Sequence, residues 1–91
     1  MAIAMYFNPP SFNAAQYDDV DAALEEAGQR TPAARKVHIC FGEGDNLQVF
    51  DIWESQEDFD KFGETLMPIL AARGIDPGEP VVAPVHNIIP S

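Results

Sequence analysis

Apolar positions along this chain recur with two different periods, and the switches between them mark six elements. Ala2 to Phe7 is a short apolar run stopped by Pro9-Pro10, which predicts a buried strand. Tyr17, Val20, Leu24 and Ala27 then follow at helical spacing and predict a helix over 14–28. Its start is well marked. Asn13 is a good N-cap, Gln16 stands at the capping-box position, and Phe12 and Tyr17 occupy the two positions of a hydrophobic staple. Gly28 is a natural stop. Period two returns at Arg35 to Phe41, with Val37, Ile39 and Phe41 on one face and His38 and Cys40 on the other. The turn cluster Gly42 to Asn46 leads into a returning strand over 47–53. There Leu47, Val49, Asp51 and Trp53 face one way, and Gln48, Phe50 and Ile52 the other. Ser55 caps a second helix whose inner stripe is Phe59, Phe62, Leu66, Ile69 and Leu70. Pro68 is expected to kink or divide this helix, and Gly74 ends it. Residues 76–80 read as loop, and 81–89 as a last strand containing Pro84.

The order β-α-β-β-α-β predicts an α+β, ferredoxin-like fold with a four-stranded antiparallel sheet, as one domain over residues 1–91. In that fold the last strand lies on an edge, where a proline such as Pro84 is tolerated. Both helices pack on one sheet face. The other face would carry large apolar groups into water, an aggregation hazard in a monomer. A two-fold homodimer that buries it is therefore expected.

Charge narrows the partners. Fifteen acidic and five basic side chains give a net charge of −10 over 91 residues. Such a field repels phosphate backbones and anionic lipid heads, so neither nucleic acid nor membrane is an expected partner. Residues 12–29 hold five acids and no base, and residues 42–64 hold eight acids against Lys61, whereas Arg30, Arg35 and Lys36 form a basic stretch. No run approaches the length of a membrane span, and the first apolar run lacks the basic start of a signal peptide. A single cysteine, Cys40, forms no internal disulfide, so a cytoplasmic protein is expected.

Candidate chemistry lies in few residues. If the hairpin turn is two residues, Gly44-Asp45, then His38 stands directly opposite Asp51. If it is five residues, Val37 opposes Asp51 and the pair is lost. In the first register Asp51 orients an imidazole that can serve as general base on a phenol or an enolisable ketone. The alternative is a polar pair that merely satisfies its own hydrogen bonds. His86, on the last strand, is a weaker catalytic candidate. The sheet order separates it from His38 by three strand steps, roughly 14 Å, too far to share one metal within a subunit. Tyr6, Tyr17, Trp53, Phe59, Phe62 and Met67 are candidates to line a pocket for a flat apolar or aromatic molecule, with Phe59, Phe62 and Tyr17 more readily core. Cys40 shares a face with His38 and reads as a small core residue rather than an activated thiol. Zinc spacing, a phosphate loop and a nucleophile elbow are absent from the sequence. No metal and no cofactor is expected.

Trp53-Glu54-Ser55, followed by Phe59 and Phe62, resembles the strand-to-helix junction of the dimeric α/β-barrel superfamily, whose best-known branch is the antibiotic biosynthesis monooxygenase-like proteins. Val49 to Ser55, Phe62 to Pro68 and Pro84 to Asn87 look like a group of its small bacterial members without an assigned activity. By element order the resemblance spans nearly the whole chain; by local motif it spans about residues 47–74. It implies a ferredoxin-like dimer and, among known members, cofactor-independent oxygenases of polycyclic phenols, haem-degrading monooxygenases, isomerases and proteins without known chemistry. The haem-degrading pattern would use an Asn on the first strand, which Asn8 approaches, and a Trp and a haem-ligating His on the second helix. Phe62 stands at the Trp position, Ala71 is near the His position, and that helix holds no histidine. The expectation is a small-molecule-binding protein of this superfamily that, if catalytic, performs a cofactor-independent oxidation or proton transfer on an apolar or aromatic ligand, with Asn8 and Tyr6 among the ligand-binding residues. The contrasting expectation is a ligand carrier or interaction module that kept the fold without the chemistry.

Overall fold

A computed structural model of the protein describes residues 1–90. The chain forms β1 (Ile3–Phe7), α1 (Ala14–Glu26), β2 (Arg35–Phe41), β3 (Gln48–Trp53), α2 (Gln56–Ala72) and β4 (Val81–Pro84). The four strands make one antiparallel sheet in the order β2-β3-β1-β4, as the ferredoxin-like pattern requires. Both helices lie on the face that carries Met5, Phe7, Val49 and Trp53. Val20 and Leu24 from α1, and Phe59, Phe62 and Leu70 from α2, close the core over them. Trp53 is fully buried and packs on Phe62 and Phe59 with ring centroids 5.0 and 5.6 Å away. Truncating such a residue typically costs about 3–5 kcal/mol, so Trp53 is an anchor of the core.

Two expectations need correction. Pro68 does not divide α2, which runs unbroken through it. Proline there deprives only the Glu64 carbonyl of a helical partner, and both residues are exposed, so water can take that bond. The last strand is four residues long rather than nine. Pro84 gives no N–H to the ladder, and the rungs with β1 end where the Val85 N–H donates to the Ala2 carbonyl, at 2.9 Å. His86 to Pro90 therefore lie outside the sheet, exposed.

The face away from the helices carries Val37, Ile39, Phe41, Phe50, Ile52, Tyr6 and Val81. Ile39, Phe41 and Val81 are 48%, 42% and 65% exposed, so a broad apolar surface meets solvent. No helix among the described residues is long and apolar enough to cross a membrane.

Candidate functional site

Two local devices build the site. The first is the start of α1. The Asn13 side chain accepts from the Gln16 N–H at 2.9 Å, and the Gln16 side chain accepts from the Asn13 N–H at 3.0 Å, completing the capping box. Phe12 meets Tyr17 edge to face at 6.3 Å, which fixes the first turn and aims Tyr17 at the sheet. The second is the β2–β3 hairpin. Its turn is the two-residue one: the Asn46 N–H donates to the Glu43 carbonyl at 3.1 Å, with Gly44 at φ 60° between them. This sets His38 opposite Asp51. The five-residue alternative, with Val37 opposite Asp51, does not occur.

The three side chains meet in a chain of hydrogen bonds. His38 Nδ1 lies 2.6 Å from Asp51 Oδ1, and Tyr17 Oη lies 2.7 Å from His38 Nε2. Trp53 Nε1–H donates to the second Asp51 oxygen at 3.3 Å. Asp51 is only 4% exposed, so its carboxylate depends on these two donors. A carboxylate only accepts. Nδ1 therefore carries the hydrogen in neutral His38, and Nε2 offers its lone pair to the Tyr17 hydroxyl. Burial, and then the neighbouring Cys40, Asp21 and Asp51, raise the Tyr17 pKa above its ordinary value, with Arg35 opposing. Tyr17 thus stays a neutral phenol that passes hydrogen bonds on and is a poor phenolate base.

This chain borders a cavity of about 90 Å³ between sheet and helices. Tyr17, His38, Asp51 and Arg35 reach it, and its remaining walls are largely apolar, among them Phe7, Phe12, Leu24, Phe62, Leu66 and Met67. Of the residues expected at a site, the structure brings together His38, Asp51, Phe62 and Met67. Trp53 is not a wall of this cavity; it sits behind Asp51 and holds it. Tyr6 points to the opposite sheet face, where its hydroxyl donates to Gln48 Oε1 and its ring stacks on Phe41. Period two explains this, since Met5 and Phe7 take the helix side. Asn8 is exposed beyond β1, and His86 is exposed beyond β4; neither lines the cavity. The Cys40 thiol is pushed up by burial and by Asp18, the opposite of an activated thiol.

Sequence reasoning placed Tyr17 among core residues and passed over Arg35. A signal for Tyr17 was present: a tyrosine on an inner helical stripe needs a partner for its hydroxyl, and His38 lies on the sheet face that the stripe covers.

No protein-family model matches the sequence, and no curated protein is significantly similar to it. Solved structures do share its fold. A protein of Chloroflexus aurantiacus J-10-fl, provisionally described as an antibiotic biosynthesis monooxygenase, superposes with a TM-score of 0.65 at 16% identity, over 97% of each chain. SnoaB, a cofactor-independent oxygenase from Streptomyces nogalater, gives 0.60 at 19% identity, over 99% of this chain and 96% of its own. Rv0793 from Mycobacterium tuberculosis gives 0.56 at 16% identity, over 99% and 96%. At such identities the likeness is one of fold.

Proposed function

We propose that the cavity binds a small apolar or aromatic molecule bearing a weakly acidic proton, a phenol or an enolisable ketone, and that His38 accepts this proton. The observation that carries the reading is the Tyr17–His38–Asp51 chain ending at a largely apolar cavity. The ligand's proton passes to the Tyr17 oxygen as the Tyr17 proton passes to Nε2, so the phenol is neutral before and after. Asp51, held by Trp53, steadies the imidazolium that results. Apolar walls keep water from competing for the proton. The carbanion so formed either takes the proton back at another position or reacts with O₂, as a cofactor-independent oxygenase requires; the fold shared with SnoaB supports the second branch. The cavity is smaller than the ~150 Å³ space that admits benzene in a protein core. A full ring therefore enters as Met67, 41% exposed and flexible, swings outward.

The test follows deuterium. Phenylacetone incubated with the protein in D₂O should exchange its α-protons roughly a hundredfold faster than in buffer. His38→Gln should abolish the gain. Exchange no faster than in buffer, or unchanged in the variant, overturns the reading and leaves a ligand carrier. Two copies are proposed to pair through the apolar sheet face, and the lone thiol of Cys40 suits the cytoplasm as the location.

A further inference from the structure

Arg35 is a cation at the cavity that the relay does not use. Regular alternation would put it with Val37 on the open face of the sheet. A β-bulge between Arg35 and Val37 shifts the register, so that Arg35 pairs with Trp53 and turns to the helix side. Bulges commonly re-aim a side chain in this way beside functional sites. Its guanidinium carbon then lies 6.0 Å from the Trp53 ring centroid and 5.8 Å from that of Phe62, and Nη2 donates to the Arg30 carbonyl at 2.7 Å. Two aromatic faces hold a cation without neutralising it.

Among the described residues no carboxylate neutralises it either. The chain has three acids for every base, 15 against 5. Arg30 pairs with Asp21, Lys36 with Glu54 and Arg73 with Asp19. Among the described residues neither Arg35 nor Lys61 has a carboxylate partner, and of the two Arg35 borders the cavity. Asp21 borders the same cavity but is engaged by Arg30. With Asp21 balanced by Arg30 outside the cavity, the remaining charges at the cavity are one carboxylate, Asp51, and one guanidinium, Arg35, which cancel when His38 is neutral. Moving a proton from the ligand to His38 creates one cation and one anion. The anion then faces both the imidazolium and Arg35.

We propose that Arg35 is the oxyanion-binding residue of this cavity, and that its ligand enters as a neutral phenol or enol and is held as the anion. The proposal rests on the reading of His38 as the proton acceptor. The bond to the acidic hydrogen breaks, its electron pair stays on the ligand and settles on oxygen against Arg35, and the proton ends on Nε2. No oxidant is involved in this step. A ligand already anionic in solution would meet the repulsion of a chain at −10, whereas the neutral acid does not.

The probe is 4-nitrophenol, whose anion absorbs visible light and whose neutral form does not. Binding is read from quenching of Trp53, the single tryptophan, and ionisation from absorbance across pH. Bound dye should be about tenfold more acidic than free dye, the effect expected of a nearby cation. Arg35→Gln should bind the dye and lose that gain, and Arg35→Lys should keep it. Bound dye no more acidic than free dye in the wild type overturns the proposal without any variant. So does a full gain in Arg35→Gln. Should Arg35→Gln not fold, the wild-type result and Arg35→Lys decide, loss of the gain in the lysine variant counting against a role for charge. Dye that binds without becoming more acidic removes Arg35 and leaves His38 standing. Absence of any binding removes the cavity reading and this one together.

Discussion

Tyr17 shows how much a single hydroxyl can be asked to do. It donates to His38 Nε2 at 2.7 Å and borders the cavity. Replacing it by Phe leaves the ring stack and removes the bond. A loss of about 1 kcal/mol of stability is expected at neutral pH, with proton transfer to a bound ketone slowed as well. The pH dependence has a definite sign. Burial first, then the Cys40, Asp21 and Asp51 charges, raise the folded pKa above 10.0, the ordinary value that the unfolded chain keeps. The unfolded state then releases the Tyr17 proton first. Stability owed to this shift is present below pH 10.0 and is lost as pH rises from there through the folded pKa. Thermal melts of wild type and Tyr17→Phe should therefore differ most at neutral pH and converge above it. A gap that widens in alkali would contradict the assigned burial. At this scale the sequence was only partly legible. His38 and Asp51 were visible as a pair in one of two registers, because turn length decides which residues oppose. Tyr17 resembled its core neighbours on the stripe, and Arg35 was hidden by a bulge that no alternation pattern announces.

At the scale of elements the order of strands and helices was readable, because apolar period and capping residues agree at each start. Lengths were not, since a strand extends only as far as its neighbour offers partners, as β4 illustrates. Two glycines test the account with opposite signs. Gly42 has φ 115°, and a Cβ there would sit 2.5 Å from the Asn46 carbonyl oxygen. Gly42→Ala should destabilise by about 1–3 kcal/mol and loosen the hairpin that sets the His38–Asp51 register. Gly63 lies inside α2, where a Cβ would meet nothing within 4 Å. Gly63→Ala should stabilise by roughly 1 kcal/mol, the helix-propensity difference. Chemical denaturation of both variants checks the pair. Destabilisation by Gly63→Ala would mean that the space beside this buried glycine is filled in the working protein.

For the whole molecule, the question is what covers the open sheet face. Ile39, Phe41 and Val81 lie on it at 48%, 42% and 65% exposure, with Tyr6 and Phe50 between them. Apolar area of that kind favours burial by about 25 cal/mol per Å². Against it stands charge, because two copies at −10 each repel one another. The two terms respond differently to salt. Screening shortens the reach of the repulsion to about 8 Å at physiological ionic strength and leaves the apolar term intact. Association should therefore tighten as salt is added, the reverse of a pairing held by complementary charges. Light scattering across a salt series should approach twice the chain mass of 10.0 kDa, at lower protein concentration as salt rises. Ile39→Glu, which adds a charge to the apolar patch on the sheet face opposite the cavity, should shift the protein to monomer while 4-nitrophenol still binds. A wild type that scatters as a monomer at micromolar concentration in high salt would show the face to be open. A dimer that survives Ile39→Glu would place the contact elsewhere.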